Sequence, residues 1–374
     1  MSYGQRIFSI VPDSTAAPRI DAAQVSGLGP APQGLLQDQH ARALKDLRIS
    51  VIDQCNFRCT YCMPKEVFGR DYEFLPKESL LSFDEIERLA KTFVGLGVEK
   101  LRVTGGEPLL RKNIESLIER LAAIRLPDGR PVEVAMTTNG ALLANKAAAL
   151  KAAGLRRITV SLDALSDATF REMNDVGFPV GDVLKGIDAA AAAGLKVKVN
   201  MVVQRGVNDH EVLPMANAFR DRGHTLRFIE FMDVGSSNAW QWDHVVPSRE
   251  IIDTIALEHP LVPIGRDTPS EVSERWRYAD GKAEVGVISS VSNPFCGNCS
   301  RARISAEGVL YTCLFAHSGT DLRGLLRNQS APSDDDLSRV IAAIWQARTD
   351  RYSEQRAALR AQGVKKVEMS YIGG

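Results

Sequence analysis

Short apolar runs alternate with helical segments through the middle of this 374-residue chain, and this alternation is the strongest constraint on its fold. Six runs rich in β-branched residues are predicted as strands: Leu47–Ile52, Lys100–Thr104, Val132–Thr138, Arg157–Leu162, Lys196–Val203 and Leu226–Met232. Helices are predicted between them: Ser82–Leu96, Asn113–Ile124, Asn145–Ala153, Val180–Ala193 and His210–Arg222. Such alternation predicts an α/β protein with a parallel sheet, either open or closed into an incomplete (βα)6 TIM-type barrel.

The two ends of the chain depart from this pattern. Residues 1–44 are rich in Ala, Pro, Gln and Gly without a sustained period, and predict a poorly ordered extension. Residues 45–235 carry the alternation and predict the barrel. Residues 236–374 predict a smaller C-terminal region with one hairpin and two helices: Arg301–Cys313, Asp334–Arg348 and Arg351–Gln362.

The charge and hydropathy of the chain indicate which kinds of partner it can bind. The chain has 46 Lys plus Arg and 46 Asp plus Glu, so its overall field favours neither nucleic acid nor a membrane surface. Its apolar runs are far shorter than the ~20 residues of a membrane-spanning helix, and its N-terminus lacks a signal-peptide pattern. We therefore expect a cytoplasmic protein, with a monomer and a homodimer both left open, in which anions bind only at a local basic pocket.

The six cysteines fall into two groups of three. In the first group, Cys55, Cys59 and Cys62 have the spacing C-x3-C-x2-C directly after the first predicted strand, where active sites of α/β proteins collect. Three thiolates can hold three irons of a 4Fe-4S cluster and leave the fourth iron open to another ligand. A zinc site is the alternative. It would need a fourth ligand, and since no His or further Cys is near in sequence, Asp53 is the only close candidate. Disulfides would leave one cysteine over in each group.

The second group follows the spacing C-x2-C-x13-C: Cys296, Cys299 and Cys313. These three ligands, with no fourth cysteine left in the sequence, imply a second cluster with an open iron. A structural zinc knuckle completed by His317 is the alternative. Arg301 and Arg303 follow shortly after, and their guanidinium groups are suitable donors to a triphosphate.

Further motifs support a family resemblance. Gly105-Gly106-Glu107-Pro108 follows the second predicted strand, and with the first cysteine group it resembles the radical S-adenosylmethionine (SAM) superfamily. The second cysteine group with Arg301-Ala302-Arg303, together with the terminal Gly373-Gly374, is similar to the GTP 3',8-cyclase family within it. This resemblance extends from about Leu47 to Gly374.

The resemblance decides between the two sheets in favour of an incomplete (βα)6 barrel, with a C-terminal extension that carries the second iron–sulfur cluster. It implies a lyase that uses two 4Fe-4S clusters and SAM. One cluster would lie at each end of an interior channel, with GTP between them. Reductive cleavage of SAM to a deoxyadenosyl radical would start the conversion of GTP to (8S)-3',8-cyclo-7,8-dihydroguanosine 5'-triphosphate, the first step of molybdenum cofactor biosynthesis. The implied partners are a low-potential electron donor and a cyclic pyranopterin monophosphate synthase that takes the product.

The resemblance also implies roles for individual residues. The catalytic residues would be Cys55, Cys59, Cys62, Arg301, Arg303, Gly373 and Gly374. SAM would contact Tyr61, Gly106, Glu107, Ser161 and Met232. GTP would contact Arg48, Arg102, Thr137, Lys198, Arg301, Ala302 and Arg303. The clusters would be bound by Cys55, Cys59 and Cys62 and by Cys296, Cys299 and Cys313.

Three of the predicted GTP contacts also have a physical reason independent of the family. Arg48, Arg102 and Lys198 lie within predicted strands, where a charge is costly unless it faces a wet, anionic pocket. For any one of them, an outward-facing or salt-bridged position is equally open.

Two other functions remain possible from the sequence. A radical SAM maturase that modifies a peptide predicts a peptide-binding N-terminal domain and more than six cysteines. An iron–sulfur sensor or a zinc-stabilised binding module predicts no SAM cleavage under reducing conditions.

Overall fold

A computed structural model describes residue 25 and residues 27–30, 35–328 and 332–373. In this part of the chain, twelve strands form one sheet with the order β12-β11-β10-β1-β2-β3-β4-β5-β6-β9-β8-β7. The strands are β1 Asp46–Ser50, β2 Lys100–Thr104, β3 Glu133–Thr138, β4 Arg157–Ser161, β5 Lys196–Val203, β6 Thr225–Glu230, β7 Leu261–Pro263, β8 Glu274–Tyr278, β9 Glu284–Ile288, β10 Arg301–Ile304, β11 Val309–Tyr311 and β12 Thr320–Asp321.

Eleven helices accompany the sheet in the described residues. They are α1 Phe83–Gly95, α2 Ile114–Ala123, α3 Leu143–Ala152, α4 Asp167–Asn174, α5 Val180–Ala192, α6 Val212–Asp221, α7 Ser248–Ala256, α8 Leu322–Leu326, α9 Asp334–Gln346, α10 Tyr352–Ala361 and α11 Met369–Ile372. None of the described helices is long and apolar enough to cross a membrane.

The first six strands are parallel neighbours in sequence order, each followed by at least one helix. This confirms the predicted α/β fold with an incomplete (βα)6 barrel. The edge strands β12 and β7 do not pair with each other in the described sheet, so the barrel stays open.

Each parallel strand presents an apolar and a polar face. In β1, Leu47 and Ile49 are buried in the hydrophobic core that the helices cover, while Arg48 faces the inside of the barrel. The same alternation recurs in β5, where Val197 and Val199 are in the core and Lys198 faces inward. Alternation follows from the two-residue period of a strand. The sheet therefore encloses a polar space rather than a second apolar core.

The C-terminal region extends the same sheet at both edges. Strand β9 pairs parallel with β6 and continues into the antiparallel strands β8 and β7. At the other edge, β10 pairs parallel with β1 and turns into β11, which confirms the predicted hairpin. The division of the chain after residue 235 stays a prediction.

The N-terminal segment differs in part from its prediction. Most of residues 1–34 lie outside the described residues, but residues 35–44 pack against the domain: Leu36 and Leu44 are buried, and the Leu44 N–H donates to the Leu36 carbonyl over 2.9 Å. The indole of Trp345 in α9 donates to the Arg42 carbonyl over 3.1 Å. Composition misses this because two isolated leucines produce no periodic signal.

A buried carboxylate joins the C-terminal helices to the end of β6. Asp233 accepts hydrogen bonds from Tyr352 Oη at 2.6 Å, Arg356 Nε at 2.8 Å and Lys366 Nζ at 2.9 Å. Burial raises the pKa of Asp233, but the hydrogen bonds from Tyr352 and Lys366 outweigh burial and hold the pKa below its ordinary value. Asp233 thus contributes stability that is present above about pH 4 and is lost as the pH falls through its folded-state pKa.

We predict that Asp233→Asn lowers the free energy of unfolding by about 3 kcal/mol at neutral pH, because it leaves buried cations without a counter-charge. Urea unfolding followed by circular dichroism measures this loss. The matched control is Asp253→Asn, whose ion pair with Arg249 is exposed, and we expect it to change stability by less than about 0.5 kcal/mol. Equal effects of the two substitutions would contradict the prediction.

Candidate active site

The inner face of the sheet lines a cavity of about 900 Å³. Its strand-borne polar side chains are Asp46, Arg48, Lys100, Arg102, Thr104, Glu133, Thr137, Thr138, Arg157, Ser161, Lys198, Asn200, Arg227, Glu230, Arg301 and Arg303. All of the basic residues predicted as GTP contacts are in this group. Basic side chains therefore outnumber acidic ones on the wall of the cavity, although the whole chain is neutral.

The register of the sheet separates the two cysteine groups. Cys55 follows the carboxyl end of β1, whereas Cys299 precedes the amino end of β10, and these strands are parallel with Asp46 opposite Arg301. Cys313 follows β11. Because β11 runs antiparallel to β10, Cys313 lies at the same end of the strands as Cys299. A five-residue strand spans roughly 17 Å. The first group thus lines one end of the cavity. The second group lies toward the other end, where its neighbours Gly297, Asn298 and Ser300, and not the three cysteines themselves, line the wall.

The first cysteine loop is fixed by neighbouring loops. Asn139, after β3, donates from its side chain to Asn56 Oδ1 at 2.8 Å and to Cys55 Sγ at 3.7 Å. The Arg58 N–H donates to the Asn174 carbonyl at 2.9 Å, and its guanidinium donates to the Cys55 carbonyl at 2.8 Å.

The three thiols of this loop line the cavity: Cys55, Cys59 and Cys62. Burial raises the pKa of all three, that of Cys55 to about 11. Since iron is bound by thiolates, bound iron would supply the positive charge that offsets this burial.

The predicted SAM contacts lie beside this loop, with one exception. Tyr61, Gly106, Ser161 and Met232 line the cavity, and the Gly106 N–H donates to the Ile52 carbonyl at 2.7 Å. A Cβ atom on Gly106 would lie 2.2 Å from the Gln54 carbonyl oxygen, so glycine is required for this approach to the cysteine loop.

Glu107 is the exception, because the structure does not place it on the cavity wall. Its carboxylate accepts hydrogen bonds from Thr138 Oγ1 at 2.7 Å and from the Asn139 and Leu109 N–H groups at 2.7 and 3.0 Å. Burial raises its pKa to about 7. Glu107 therefore positions the Asn139 loop, which in turn contacts Cys55.

The second cysteine group lies in a cationic environment. Arg301 Nη2 donates to Cys299 Sγ at 3.3 Å. Burial raises the pKa of Cys299, but the charges of Arg301 and Arg348 outweigh burial and hold the pKa at about 6. Burial raises the pKa of Cys313 to about 12. The thiol of Cys299 therefore ionises more readily than that of Cys313.

No three metal-ligating side chains converge on a single ion position in the described residues. Ligands of one zinc ion must converge in this way, whereas each thiolate of an iron–sulfur cluster binds a different iron. The arrangement of the cysteines therefore does not conflict with a cluster.

The basic wall has hydrogen-bond capacity that the described protein does not satisfy. The Nε atoms of Arg48 and Arg102 are buried without a partner. Arg102 donates from Nη1 to Thr137 Oγ1 at 3.2 Å. Burial lowers the pKa of Lys198 to about 7, and repulsion by Arg227 adds to this effect. An anion in the cavity would satisfy these donors and offset their mutual repulsion.

The end of the chain enters the same site. The Gly373 carbonyl accepts a hydrogen bond from Arg303, and its φ of 75° belongs to the left-handed region. A Cβ atom here would lie 2.1 Å from Thr104 Oγ1, so a side chain does not fit. Gly374 lies outside the described residues.

Ala302 does not face the cavity. It lies between two inward-facing arginines of β10, and strand alternation places its methyl group in the hydrophobic core. Its predicted contact with GTP therefore cannot involve the side chain.

Comparisons with known proteins agree with this architecture. Residues 49–219 match the Radical SAM superfamily and residues 224–354 match Molybdenum Cofactor Synthesis C. A GTP 3',8-cyclase of Acidothermus cellulolyticus is 49% identical over 362 residues, covering 91% of this chain and 99% of that protein. The GTP 3',8-cyclase of Xanthomonas campestris pv. campestris is 52% identical over 340 residues, covering 91% and 97%. The chain belongs to the GTP 3',8-cyclase family.

Two solved structures share the fold of this cyclase-family chain. SuiB of Streptococcus suis bound to S-adenosylmethionine has a TM-score of 0.57 and 14% identity, covering 84% of this chain and 71% of that one. SuiB bound to the precursor peptide SuiA has a TM-score of 0.55 and 13% identity, covering 82% and 66%. At these identities the likeness extends to the fold alone.

The cavity of this cyclase-family chain also contains residues that the sequence reasoning missed. Asp163 accepts a hydrogen bond from Tyr61 Oη at 2.8 Å, and Asn139, Arg157 and Arg227 line the same wall. Strand parity could have identified Arg157, because it lies four residues before the predicted Ser161 on the same strand. Asp163 and Asn139 lie beyond strand ends, where parity no longer applies.

We predict that Gly106→Ala lowers the iron content of the reconstituted protein and its free energy of unfolding by about 2 kcal/mol, because the new methyl group overlaps the Gln54 carbonyl. Iron assay and thermal unfolding measure the two effects. Gly95→Ala, at the end of α1 with no neighbouring atom within 4 Å, is the control, and it should be neutral or slightly stabilising. A normal iron content in Gly106→Ala would show that this close approach is unimportant.

Proposed function

We propose that this chain is a SAM-dependent GTP 3',8-cyclase, which converts GTP to (8S)-3',8-cyclo-7,8-dihydroguanosine 5'-triphosphate in the first step of molybdenum cofactor biosynthesis. Relatives of that name match 91% of the chain. The observation that carries the proposal is the basic cavity between two cysteine groups at opposite ends of one parallel sheet. Such a cavity suits a substrate that is anionic and must be shielded from water.

We assign one 4Fe-4S cluster to each cysteine group. The first would be held by Cys55, Cys59 and Cys62, and the second by Cys296, Cys299 and Cys313. With SAM bound, the first cluster supplies the one-electron chemistry that generates an organic radical. The protein's part is to hold SAM at that end of the cavity, through Gly106, Ser161 and the Tyr61–Asp163 pair.

The triphosphate would be bound by the inward-facing cations of the strands. Arg48 and Arg102 have buried donors without a partner in the described residues, and guanidinium forks match phosphate oxygens. Lys198 adds an ammonium group from β5 on the same wall. Arg301 and Arg303 complete the site from β10. Together they fix GTP between the two clusters.

Residues of the chain also exclude water and orient the site. Arg303 donates to the Gly373 carbonyl, so the tail is held against the inner wall next to Thr104. Met369 and Ser370, at the start of α11, line the cavity as well. The tail therefore fills space that solvent would otherwise occupy, which protects a radical from unwanted hydrogen donors.

The wider context follows from the same proposal. A low-potential electron donor would reduce the first cluster, and a cyclic pyranopterin monophosphate synthase would take the product. The reaction would take place in the cytoplasm and would involve neither nucleic acid nor a membrane. The enzyme would act as a monomer or a homodimer. Residues 45–235 would supply the SAM half of the site and residues 236–374 the second cluster.

The activity is tested by anaerobic incubation of reconstituted protein with SAM, GTP and dithionite, followed by mass spectrometry. We expect both 5'-deoxyadenosine and the cyclised nucleotide from the parent protein. Cys59→Ala should abolish both products, because it removes a ligand of the first cluster. Cys313→Ala should retain SAM cleavage but lose at least about 99% of the cyclised product, because only the substrate end of the cavity is altered.

The outcomes separate the parts of the proposal. SAM cleavage by the parent protein without conversion of GTP would refute the cyclase activity and leave the radical SAM chemistry. Loss of SAM cleavage in Cys313→Ala would refute the separation of the two sites. Lys282→Arg, at an exposed lysine paired with Asp221, is the unaffected control.

The affinity for GTP should depend on pH through Lys198. Its pKa of about 7 means that it is protonated below pH 7 and loses its charge above it. Because the bound anion favours the protonated form, we predict that affinity falls as pH rises from 7 to 9, by up to about tenfold per pH unit. Lys198→Arg keeps its charge over this range and should flatten the profile.

Isothermal titration calorimetry of GTP binding measures both profiles. The exposed variant Lys282→Arg is the control and should follow the parent profile. Identical slopes for the parent protein and Lys198→Arg would exclude Lys198 as the titrating group.

A further inference from the structure

A buried ionic network lies next to the second cysteine group, and none of its residues has a role in the proposed binding of SAM or GTP. Its members are Asp38, Arg42, Arg348 and Asp350. The side chains of Asp38, Arg42 and Arg348 are at most 1% exposed. Two of them come from the N-terminal segment and two from the residues that follow α9. Buried charges are costly, so their retention here requires a physical reason.

Asp38 holds both arginines. Its Oδ1 accepts from the Arg42 N–H at 2.9 Å, and its Oδ2 accepts from Arg42 Nε at 2.6 Å. Arg348 Nη1 lies 3.4 Å from the same Oδ2. The Trp345 ring lies 4.6 Å from the Arg348 guanidinium carbon and so packs against it. The direction of each guanidinium group is therefore determined by the protein.

The two arginines contact the backbone of the cysteine loop. Arg42 Nη1 donates to the Cys296 carbonyl at 3.0 Å, and Arg348 Nη1 donates to the Cys299 carbonyl at 2.7 Å. The network also reaches the third cysteine, since Asp350 Oδ2 accepts from Thr312 Oγ1 at 2.8 Å, next to Cys313. Both segments that carry the second group, residues 296–299 and the segment around Cys313, are thus connected to the network.

One donor of this network has no partner. Arg42 Nη2 is buried and makes no hydrogen bond within the described residues. Arg42 also lines the cavity, together with Phe295 and Gly297 of the cysteine loop. An unsatisfied guanidinium N–H at this place suits an acceptor such as a thiolate or a cluster sulfide.

We propose that Arg42 and Arg348, held by Asp38, are positioning residues for the second cluster. They fix the cysteine loop through its carbonyl groups and direct guanidinium N–H donors toward the cluster, while Asp38 and Asp350 supply their counter-charges. This inference rests on the proposed function, because it requires that Cys296, Cys299 and Cys313 bind a cluster. Two consequences follow: the cluster is lost slowly, and its reduction potential is raised because the added electron is stabilised by nearby cations.

The test uses the full-length reconstituted protein and the variants Arg42→Gln, Arg42→Lys and Arg220→Gln. Arg220 pairs with Asp280 outside both cysteine groups, so its variant controls for loss of a partly buried arginine. Iron release to a chelator, electron paramagnetic resonance of each cluster and redox titration are measured. Activity is not needed as a readout.

For Arg42→Gln we expect iron release from the second cluster to be about tenfold faster or more, and its potential to shift to a more negative value. The signal of the first cluster should be unchanged by the substitution. Arg42→Lys keeps the charge but not the fork, so it should restore the potential but only part of the iron retention. Arg220→Gln should behave as the parent protein.

The outcomes distinguish the inference from the function on which it rests. A parent protein that binds only one cluster would overturn the proposed function. A parent protein with two clusters, together with unchanged iron release and potential in Arg42→Gln, would overturn the inference alone. If Arg42→Gln does not fold, the same measurements are made on Asp38→Asn and Arg42→Lys. Faster iron release from the second cluster in these variants supports the inference. Iron release like that of the parent protein in both variants overturns it.

Discussion

The arrangement of charge on the inner face of the sheet is the constraint on which the rest of the structure depends. Parallel strands of an α/β protein are usually apolar on both faces, because both are buried. Here every second residue of β1, β2 and β10 is polar or charged, with Arg48, Arg102 and Arg303 in register. The carboxylate of Asp46 on the same face offsets part of the repulsion between these cations, and a bound anion would offset more of it.

The same sheet determines how far apart the two cysteine groups lie. Cys55 and Cys299 are distant in sequence, but the parallel pairing of β1 with β10 places them at opposite ends of this pair of strands. The length of the five-residue strand β1 therefore sets the distance between the two cysteine groups. Under the proposed function, the space between the groups holds SAM and the negatively charged GTP, and the strands on both sides supply counter-charges to the triphosphate.

Local patterns made much of this predictable. The six strands and the first cysteine loop follow from short-range signals, namely β-branched runs and the motif after β1. Glu107 and the segment around Leu36 depend instead on long-range contacts. Glu107 turns toward the loop after β3, and the segment around Leu36 is held to α9 by the hydrogen bond from Trp345 to the Arg42 carbonyl. Ala302 was predictable in principle, since its two neighbours face inward.

The arginines of the cavity are not equivalent. Arg303 donates to the Gly373 carbonyl and Arg301 to Cys299, whereas Arg48 and Arg102 keep unpartnered Nε donors. An arriving triphosphate competes with internal acceptors at the first pair. At the second pair it meets two Nε donors without a partner in the described residues, although Arg102 Nη1 already donates to Thr137. Under the proposed function, Arg48 and Arg102 are therefore the primary phosphate contacts. The other two connect substrate binding to the tail and to the second cluster, because any contact they make with the phosphates must redistribute those internal bonds.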